Sequence, residues 1–350
     1  MEFKIKNRFI GDHHPIFFIA EAGVNHNGSL ELGMKLVDIA VEAGADAVKF
    51  QTFKAENMTT PSSPKSSYHI ETTGGDNKQS WFQLLKTQEI SRKMHIDLIQ
   101  YCKKKGIIFL STPYDEESAD LLYDLDIPLF KIASTDTSNT PFLSYIAKKD
   151  RPMIISTAMA TMKEVEDAVK TIKKEGLEDY AILQCTGNYP SLLSDSNLRV
   201  MQTYKSKFNC IVGYSDHTPE YINPIAATAM GAKIYEKHIT IDKSLPGPDH
   251  RMSLDPIELS KTIEMIRKTE ISLGSEEKKV LKEEEENRIK LRKSVVSNIN
   301  IPKGSILEKH MLSIKRPGHG IKPSNFDDII GKKTSRNILK DSVIVQDDLI

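Results

Sequence analysis

The chain has no excess of either charge, little cysteine and no long apolar run. Its 48 lysine and arginine residues balance 48 aspartate and glutamate residues, so no overall positive field favours nucleic acid or an anionic membrane. No apolar run reaches the roughly 20 residues of a transmembrane helix, and the N-terminal segment lacks the apolar core of a secretory signal. We therefore expect neither a nucleic-acid partner nor a membrane partner.

Cysteine is scarce: Cys102, Cys185 and Cys210 are far apart in sequence, and no CxxC pair occurs. A disulfide framework needs an even, dense set of cysteines, and a zinc ribbon needs paired ones. The count argues against both, and we expect a reducing, cytoplasmic location.

What the chain does contain is a strand–helix alternation repeated eight times. Segments with helical spacing, such as 29–45, 91–106 and 161–176, separate short apolar runs rich in β-branched residues. A doubly wound sheet also alternates strands and helices, but it concentrates its site at one switch point, whereas here all eight runs end in polar residues. The pattern predicts an α/β fold, a (β/α)8 TIM barrel. The predicted strands are 15–23, 46–53, 106–113, 127–134, 151–158, 179–186, 209–217 and 232–240.

The alternation stops near residue 275, which predicts a second domain. Residues 1–275 form the predicted barrel, 276–293 are a dense run of mixed charge typical of a solvated linker, and 294–350 form a small β-rich domain. Within this domain 325–331 has a helical pattern and 340–350 resembles a strand. In the barrel, the polar segment 54–80 predicts a long loop that covers a site.

Polar side chains stand at the ends of the predicted strands, where a TIM barrel holds its active site. Lys49 and Gln51 are two residues apart in the run AVKFQ, so both point to the same side of their strand. A single lysine at such a position more often buries its alkyl chain and forms an ion pair through its ammonium group. Two lysines that converge with strand-end hydroxyls suit a phosphate or a carboxylate. We expect an anion site. The other strand-end residues are Glu21, Thr112, Lys131, Ser134, Asp136, Ser156, Thr186, Ser215, His217, Glu236 and His238.

His217 and His238 end the seventh and eighth predicted strands, so their imidazoles can reach one metal ion. Two histidines with oxygen ligands nearby suit Mn²⁺, Mg²⁺, Fe²⁺ or Co²⁺ better than structural zinc. Spacing alone leaves open the alternative of two hydrogen-bonded rim histidines. We expect five other histidines on the surface or in loops: His13, His14, His69, His95 and His310.

Three further residues occupy chemically suggestive positions. Glu21 ends the first strand, where a carboxylate opposite cationic groups serves as a general acid or base, a hydroxyl ligand or an ion-pair partner. The turn GPDH (247–250) presents Asp249 toward the rim, and KRPGHG (315–320) places Arg316 on a loop of the small domain.

Taken together, these motifs resemble the sialic acid synthases, and the resemblance covers essentially the whole chain. That family condenses phosphoenolpyruvate with an N-acylated mannosamine-type sugar, free or 6-phosphorylated, to make a nine-carbon 2-keto acid and phosphate. The C-terminal part resembles the family's SAF (antifreeze-like) domain. The motifs that carry the resemblance are AEAGVNHNG, VKFQTF, FLSTP, FKIAS, IISTAM, LQCTGNYP, GYSDHT, YEKHIT, GPDHRMSLDP and KRPGHG.

The resemblance implies a role for each matching residue. Lys49 and Lys131 would hold phosphoenolpyruvate for attack on the aldehyde, and Glu21 or Asp136 would position or deprotonate a water. His217 and His238 would ligate a divalent metal, with Mn²⁺ expected ahead of Mg²⁺ or Co²⁺. Arg316 would reach the partner's active site in a domain-swapped homodimer. The implied substrate-binding residues are Gln51, Thr112, Ser134, Ser156, Tyr189, Ser215, Asp249 and Arg316.

Two departures from the family pattern bear on the sugar. Bacterial members often have glutamate where this chain has Asp136, and some members have asparagine where it has Gly187. Three alternatives stay open. The chain could be a legionaminic or pseudaminic acid synthase acting on a diacetamido-trideoxy hexose. It could be a Kdo-8-phosphate or DAHP-type synthase, which the C-terminal domain disfavours. It could also be a non-catalytic carbohydrate- or ice-binding protein, which the intact lysines and histidines disfavour.

Overall fold

A computed structural model of the chain describes residues 1–65, 67–73 and 79–350 and divides them into two compact units. The first is Met1–Gly274 and the second is Ser275–Ile350. Each unit has its own hydrophobic core.

The first unit is the predicted barrel of eight parallel strands. All eight lie within the runs predicted from the sequence, and the hydrogen-bonded order is β5-β4-β3-β10-β9-β8-β7-β6. Because β6 also packs against β5, the sheet closes on itself. The barrel strands are β3 (Phe17–Gly23), β4 (Ala47–Thr52), β5 (Ile108–Pro113), β6 (Phe130–Ile132), β7 (Met153–Ser156), β8 (Tyr180–Cys185), β9 (Ile211–Asp216) and β10 (Ile234–His238).

An antiparallel hairpin that the sequence pattern did not predict precedes the barrel. It consists of β1 (Glu2–Ile5) and β2 (Arg8–Gly11). Its side chains Phe3, Ile5 and Ile10 are buried in the same cluster as the residues inside the barrel. The hairpin therefore covers the interior of the barrel at the end where the strands begin, and the carboxyl ends of the strands form the open mouth.

Helices follow the barrel strands, and their apolar faces form an outer core layer with the outward side chains of the sheet. Serine or threonine caps begin several of them, for example Ser91 before α5 and Thr161 before α8. The helices of this unit are α1 (Leu30–Glu42), α2 (Ala55–Met58), α3 (Ser67–Thr72), α4 (Trp81–Gln88), α5 (Arg92–Lys105), α6 (Glu116–Asp124), α7 (Thr140–Ala147), α8 (Met162–Lys174), α9 (Val200–Phe208), α10 (Ile222–Ala229) and α11 (Pro256–Leu273).

Two expectations for the barrel need correction. The segment 54–80 is not one continuous loop, because α2 and α3 lie in it, although 66 and 74–78 fall outside the described residues. His95 is not a surface residue. It is fully buried on α5, where its ring nitrogens lie 2.8 Å from Thr52 Oγ1 and 2.9 Å from the Ser91 carbonyl oxygen.

The second unit begins at Ser275, one residue before the predicted linker, and contains all of that linker. The charged run contains a short helix, α12 (Glu285–Leu291), whose residues are all exposed. The hairpin β11 (Ser294–Ser297) and β12 (Leu312–Lys315) then forms around buried aliphatic side chains. The predicted helix at 325–331 is reduced to single 3₁₀ turns, and 340–350 contributes isolated bridges instead of a strand. Arg316 is exposed directly after β12.

Among the described residues, no helix is both long enough and apolar enough to cross a membrane. All three cysteines are buried free thiols.

Candidate active site

The interior face of the barrel strands changes from apolar to polar along each strand. In β3 the inward residues run from Phe17 and Ile19 to Glu21, and in β10 they run from Ile234 to Glu236 and His238. Since inward positions recur every second residue, this order produces an apolar floor beneath a polar mouth.

The polar mouth encloses a cavity of about 170 Å³. It brings together eleven of the fourteen residues to which the sequence analysis assigned a role. Asp136 and Asp249 lie outside its wall, and Arg316 belongs to the second unit. The predicted residues in its wall are Glu21, Lys49, Gln51, Thr112, Lys131, Ser134, Ser156, Tyr189, Ser215, His217 and His238.

Lys49 lies at the centre of the charged cluster. Its Nζ lies 2.8 Å from Glu21 Oε2 and donates a hydrogen bond of 2.9 Å to Thr112 Oγ1. Burial works against its positive charge, but the neighbouring carboxylates of Glu21 and Glu236 outweigh this effect, so the pKa of Lys49 lies above its usual value. Lys49 is therefore a permanent cation at the mouth of the barrel.

Lys131 supplies a second buried ammonium group from β6. Its Nζ donates to Ser156 Oγ at 2.6 Å and to the Ile132 carbonyl oxygen at 3.0 Å. Burial lowers the pKa of Lys131, so an incoming anion would stabilise its charged form. The two lysines thus offer ammonium donors from strands β4 and β6.

Glu236 is the functional side chain that the sequence analysis named without giving it a role. Its carboxylate lies between the two lysines, with Oε2 3.7 Å from Lys49 Nζ and Oε1 3.6 Å from Lys131 Nζ. Ser215 Oγ donates to the same carboxylate at 3.2 Å. The sequence contained one signal for this role: Glu236 lies two residues before His238 on β10, and that spacing directs both side chains into the barrel.

The two carboxylates of the cavity have different proton affinities. Burial raises the pKa of Glu21 to about 7, despite the opposing charge of Lys49. For Glu236 burial acts in the same direction, but Lys131 and then Lys49 outweigh it and leave the pKa of that group below its usual value. Glu236 is thus the fixed anion, whereas Glu21 can exchange a proton near neutral pH.

The other two predicted carboxylates lie beside the cavity. Asp136 forms part of a 3₁₀ turn after β6, and its Oδ1 accepts a hydrogen bond of 3.0 Å from Asn139 Nδ2. Asp249 lies closer to the site: its Oδ2 is 3.8 Å from His238 Nδ1, and burial raises its pKa to about 6.

Gly23 shows that Glu21, Gln51 and Asp249 surround one point. A Cβ atom on Gly23 would lie 3.4 Å from Glu21 Oε1, 3.5 Å from Gln51 Nε2 and 3.6 Å from Asp249 Oδ2. The backbone of Gly23 has a φ of +53°, which favours glycine. The polar groups therefore converge on space that a side chain at position 23 would enter.

His217 and His238 are neighbours, with ring centroids 5.5 Å apart. His217 Nδ1 lies 2.7 Å from the Thr186 carbonyl oxygen, an acceptor, so this nitrogen carries the proton and Nε2 keeps the lone pair. His238 Nδ1 is buried without a hydrogen-bond partner. Burial, followed by the charges of His217 and Lys49, holds the pKa of His238 well below its usual value. His238 therefore presents a neutral nitrogen to a metal ion. For His217 burial acts in the same direction, but Cys185 outweighs it and raises the pKa, so a metal ion would bind Nε2 of that ring in its neutral form after displacing a proton.

The donor set fits a metal held partly by the chain. Among the described residues, no group of three His, Cys, Asp or Glu side chains has the spacing to hold a metal ion. The two imidazoles would therefore supply two ligands, and substrate or water oxygens would complete the coordination. Tyr189 closes one side of this pair, with its ring centroid 4.2 Å from that of His217.

The closed parallel sheet with a polar cavity at the carboxyl ends of its strands has the architecture of a TIM-barrel enzyme. The NeuB family model matches residues 36–278 and the SAF domain model matches residues 292–350, so the chain belongs to the NeuB family and carries a SAF domain. The SAF match sets aside the Kdo-8-phosphate and DAHP-type alternative.

Several characterised relatives align along nearly the whole chain. N,N'-diacetyllegionaminic acid synthase of Campylobacter jejuni is 42% identical over 93% of this chain and 98% of its own. Human N-acetylneuraminate-9-phosphate synthase is 38% identical over 97% and 94%. Pseudaminic acid synthase of Campylobacter jejuni is 33% identical over 95% and 96%.

A solved structure shows the same likeness. The sialic acid synthetase of Leptospira borgpetersenii, crystallised with citrate, has a TM-score of 0.72 and 34% identity over 82% of this chain and 95% of its own. The chain is therefore similar along its length to enzymes that make three different nonulosonic acids.

Proposed function

We propose that the chain condenses phosphoenolpyruvate with the open-chain form of an N-acylated mannosamine-type sugar. The products are a nine-carbon 2-keto acid and phosphate. The observation that carries this proposal is the pair of buried lysines, Lys49 and Lys131, on either side of Glu236 in the barrel mouth. Every curated relative named above is a synthase of a nonulosonic acid or of its 9-phosphate.

Phosphoenolpyruvate suits this cluster because it carries a carboxylate and a phosphate on one small carbon frame. Lys49 and Lys131 supply charged donors, and hydroxyls of Thr112, Ser156 and Ser215 lie next to them. The Glu236 carboxylate keeps the two ammonium groups apart and fixed in the absence of substrate. Charge placed in advance in a buried site stabilises a developing charge more strongly than it does in water.

The positions of these residues suit the following order of steps. C3 of phosphoenolpyruvate attacks the aldehyde carbon. The aldehyde oxygen takes up a proton and becomes a hydroxyl of the product, and a cationic centre is left at C2. Water adds at C2, and the resulting tetrahedral centre expels phosphate by breaking the C2–O bond. Glu21 accepts the proton of that water on its carboxylate, because it lines the cavity and titrates near pH 7, whereas Asp136 is turned toward Asn139.

We also propose a divalent metal, Mn²⁺ first, at His217 and His238. The support is the unpartnered, buried Nδ1 of His238 beside the free Nε2 of His217. A metal ion bound there would supply Lewis acidity toward the aldehyde oxygen of the sugar. Tyr189, Gln51 and Asp249 surround the remaining space and would hold the hydroxyl and amide groups of the acceptor.

Three acceptors of two types are candidates. N-acetylmannosamine or its 6-phosphate was the first expectation from the sequence. The alternative, 2,4-diacetamido-2,4,6-trideoxymannose, is favoured by the higher identity to the Campylobacter legionaminic acid synthase, 42% against 38% for the human enzyme. The cavity residues described above serve either sugar, so the choice falls to experiment.

We further propose a cytoplasmic homodimer in which Arg316 of one subunit completes the site of the other. Three free thiols agree with a reducing compartment. An exposed arginine directly after β12 is available for a partner.

The test of this function is phosphate release by purified, EDTA-treated protein, with and without added Mn²⁺. Phosphoenolpyruvate is offered together with N-acetylmannosamine, its 6-phosphate or the diacetamido sugar, and kcat/KM is compared. Metal-dependent release with one acceptor supports the proposal and names the sugar. No release with any of the three, from folded and metal-loaded protein, contradicts it.

A further inference from the structure

A buried ion pair lies on the outer face of the barrel wall, directly behind the histidine pair. Lys237 Nζ is 2.8 Å from Asp216 Oδ2, and the two side chains are 2% and 0% exposed. The two residues are opposite each other in the parallel register of β10 and β9. Each one immediately precedes a histidine, Asp216 before His217 and Lys237 before His238, so ion pair and imidazoles project from opposite sides of the sheet.

Both charged groups of the ion pair form further hydrogen bonds, and these bonds reach the residues on either side of His217. Asp216 Oδ1 accepts from the backbone nitrogen of Thr218 at 2.9 Å and from its Oγ1 at 2.8 Å. Lys237 Nζ donates to the Thr218 carbonyl oxygen as well. Tyr235 adds a hydrogen bond of 2.6 Å from its hydroxyl to Asp216 Oδ2. Both chain neighbours of His217 are thus tied to the residue that precedes His238.

The network also reaches the next helix. Asn223 on α10 donates from Nδ2 to Thr218 Oγ1 at 3.3 Å and to Ser196 Oγ at 2.9 Å. The segment after β9 is therefore held from the sheet side and from the helix side. Without this network the His217 ring would be held only on the β8 side, through the Thr186 carbonyl oxygen. It could then shift relative to His238, which ends β10 in register with Glu21 on β3.

A buried ion pair is weak as a source of stability, because removing two charges from water offsets most of their attraction. What a fully bonded pair provides is a single geometry. We propose that Lys237 and Asp216 are positioning residues that set the separation of the His217 and His238 imidazoles for metal binding. This inference rests on the proposed metal site. Asp216 and Lys237 lie on the outer face of the sheet and would contact neither the substrate nor the metal.

The experiment measures Mn²⁺ affinity by EPR, following loss of the free-ion signal as protein is added. The double variant Asp216→Asn/Lys237→Met removes both charges together, so neither is left buried and alone. Loss of a partner bonded directly to a metal ligand typically weakens metal binding about 10- to 100-fold. Because Asp216 and Lys237 act on the imidazoles through the backbone, we expect a loss of about 10-fold, the lower end of that range. Because the defect is in positioning the ligands, raising Mn²⁺ to saturation should restore most of kcat.

A control variant, Arg267→Met/Asp46→Asn, removes an ion pair of 3.0 Å at the opposite end of the barrel, together with the 2.8 Å pair that Asp46 forms with Arg8. It should lower the unfolding midpoint in urea and leave the Mn²⁺ dissociation constant unchanged. Should the first double variant fail to fold, Tyr235→Phe deletes one hydrogen bond to Asp216 without moving a charge and should weaken Mn²⁺ binding severalfold.

The outcomes separate this inference from the proposed function. Wild-type Mn²⁺ affinity in a folded Asp216→Asn/Lys237→Met protein overturns the positioning role and leaves the metal site standing. An equal loss of affinity in the Arg267→Met/Asp46→Asn control also overturns it, since the effect would then be general. If the wild-type protein itself binds no Mn²⁺, the metal site is wrong and the positioning role fails with it.

Discussion

The Lys49 ammonium and the Glu21 carboxylate lie 2.8 Å apart, with side chains only 4% and 2% exposed. An ion pair this deeply buried at the open end of a barrel is expensive to desolvate and adds little stability on its own. Its position explains its presence, because an anionic substrate that binds Lys49 weakens the pair and makes the Glu21 carboxylate a stronger proton acceptor.

Replacing Lys49 with methionine should raise the KM for phosphoenolpyruvate by about 100-fold or abolish turnover, because losing one partner of a buried charge pair costs at least 2–3 kcal/mol. Lys54→Met, which removes an exposed lysine just beyond the same strand, is the control and should keep wild-type kinetics. Near-normal kinetics in a folded Lys49→Met protein would remove this residue from the anion site.

Glu21 should control the acid limb of the pH–rate profile. Its pKa of about 7 means that the carboxylate form, which accepts the proton of water, grows as the pH rises from 6 to 8. We expect kcat/KM to rise across this range in the wild type. In Glu21→Gln the rise should disappear and the rate should fall by about 10²- to 10⁴-fold. An unchanged inflection in the variant would assign the titration to another group.

Mixing two inactive proteins tests the shared site. Lys49→Met and Arg316→Ala homodimers should each be inactive or nearly so, and exchange of subunits should restore activity through heterodimers that contain one intact site. The expected recovery is about one quarter of the wild-type rate per active-site equivalent, because half the dimers are mixed and each mixed dimer has one intact site. Absence of recovery after proven subunit exchange would argue that Arg316 serves its own subunit or none.

Stability should fall in mild acid because of His26. Its ring is buried, and Nδ1 accepts a hydrogen bond of 2.9 Å from the Gly28 backbone nitrogen. Burial lowers the pKa of His26 from 6.5 to about 4, so between these values the unfolded chain binds the proton that the folded chain excludes. The stability gained from neutral His26 is therefore complete above pH 6.5 and decreases as the pH falls toward 4.

The His26 contribution amounts to about 3 kcal/mol over the whole interval. Urea unfolding at pH 7.5 and pH 5.0 measures the loss, and His26→Gln, which has no titrating ring, should lose about 2 kcal/mol less between these two pH values. Equal losses in both proteins would show that other groups cause the acid sensitivity.

The sequence predicted the position of the strand ends well, because a period of two residues and a polar residue at the end of each strand are local signals. Lys49 and Gln51 share a face for that reason, and Glu21, Ser156 and His238 reach the cavity in the same way. The C-terminal ends of barrel strands meet at one rim, so local patterns were enough to assemble most of the site.

What the sequence did not predict depends on side-chain contacts between distant segments. Asp136 turns toward Asn139 within a 3₁₀ turn, and Glu236 acquires its role only because Lys49 and Lys131 converge on it from two other strands. His95 looked like an exposed helix residue, but the Thr52 hydroxyl on β4 satisfies its ring in the core. The hairpin β1–β2 escaped notice because its strands are only four residues long.

The most direct test of the central claim uses phosphoenolpyruvate labelled with ¹⁸O in the bridging C2–O–P position. Attack of C3 on the sugar aldehyde and addition of water at C2 require the C2–O bond to break. The label should therefore appear in the released phosphate, and the nine-carbon 2-keto acid should contain none of it. Label retained in the keto acid, or label-bearing pyruvate formed without a sugar-derived product, would contradict the account.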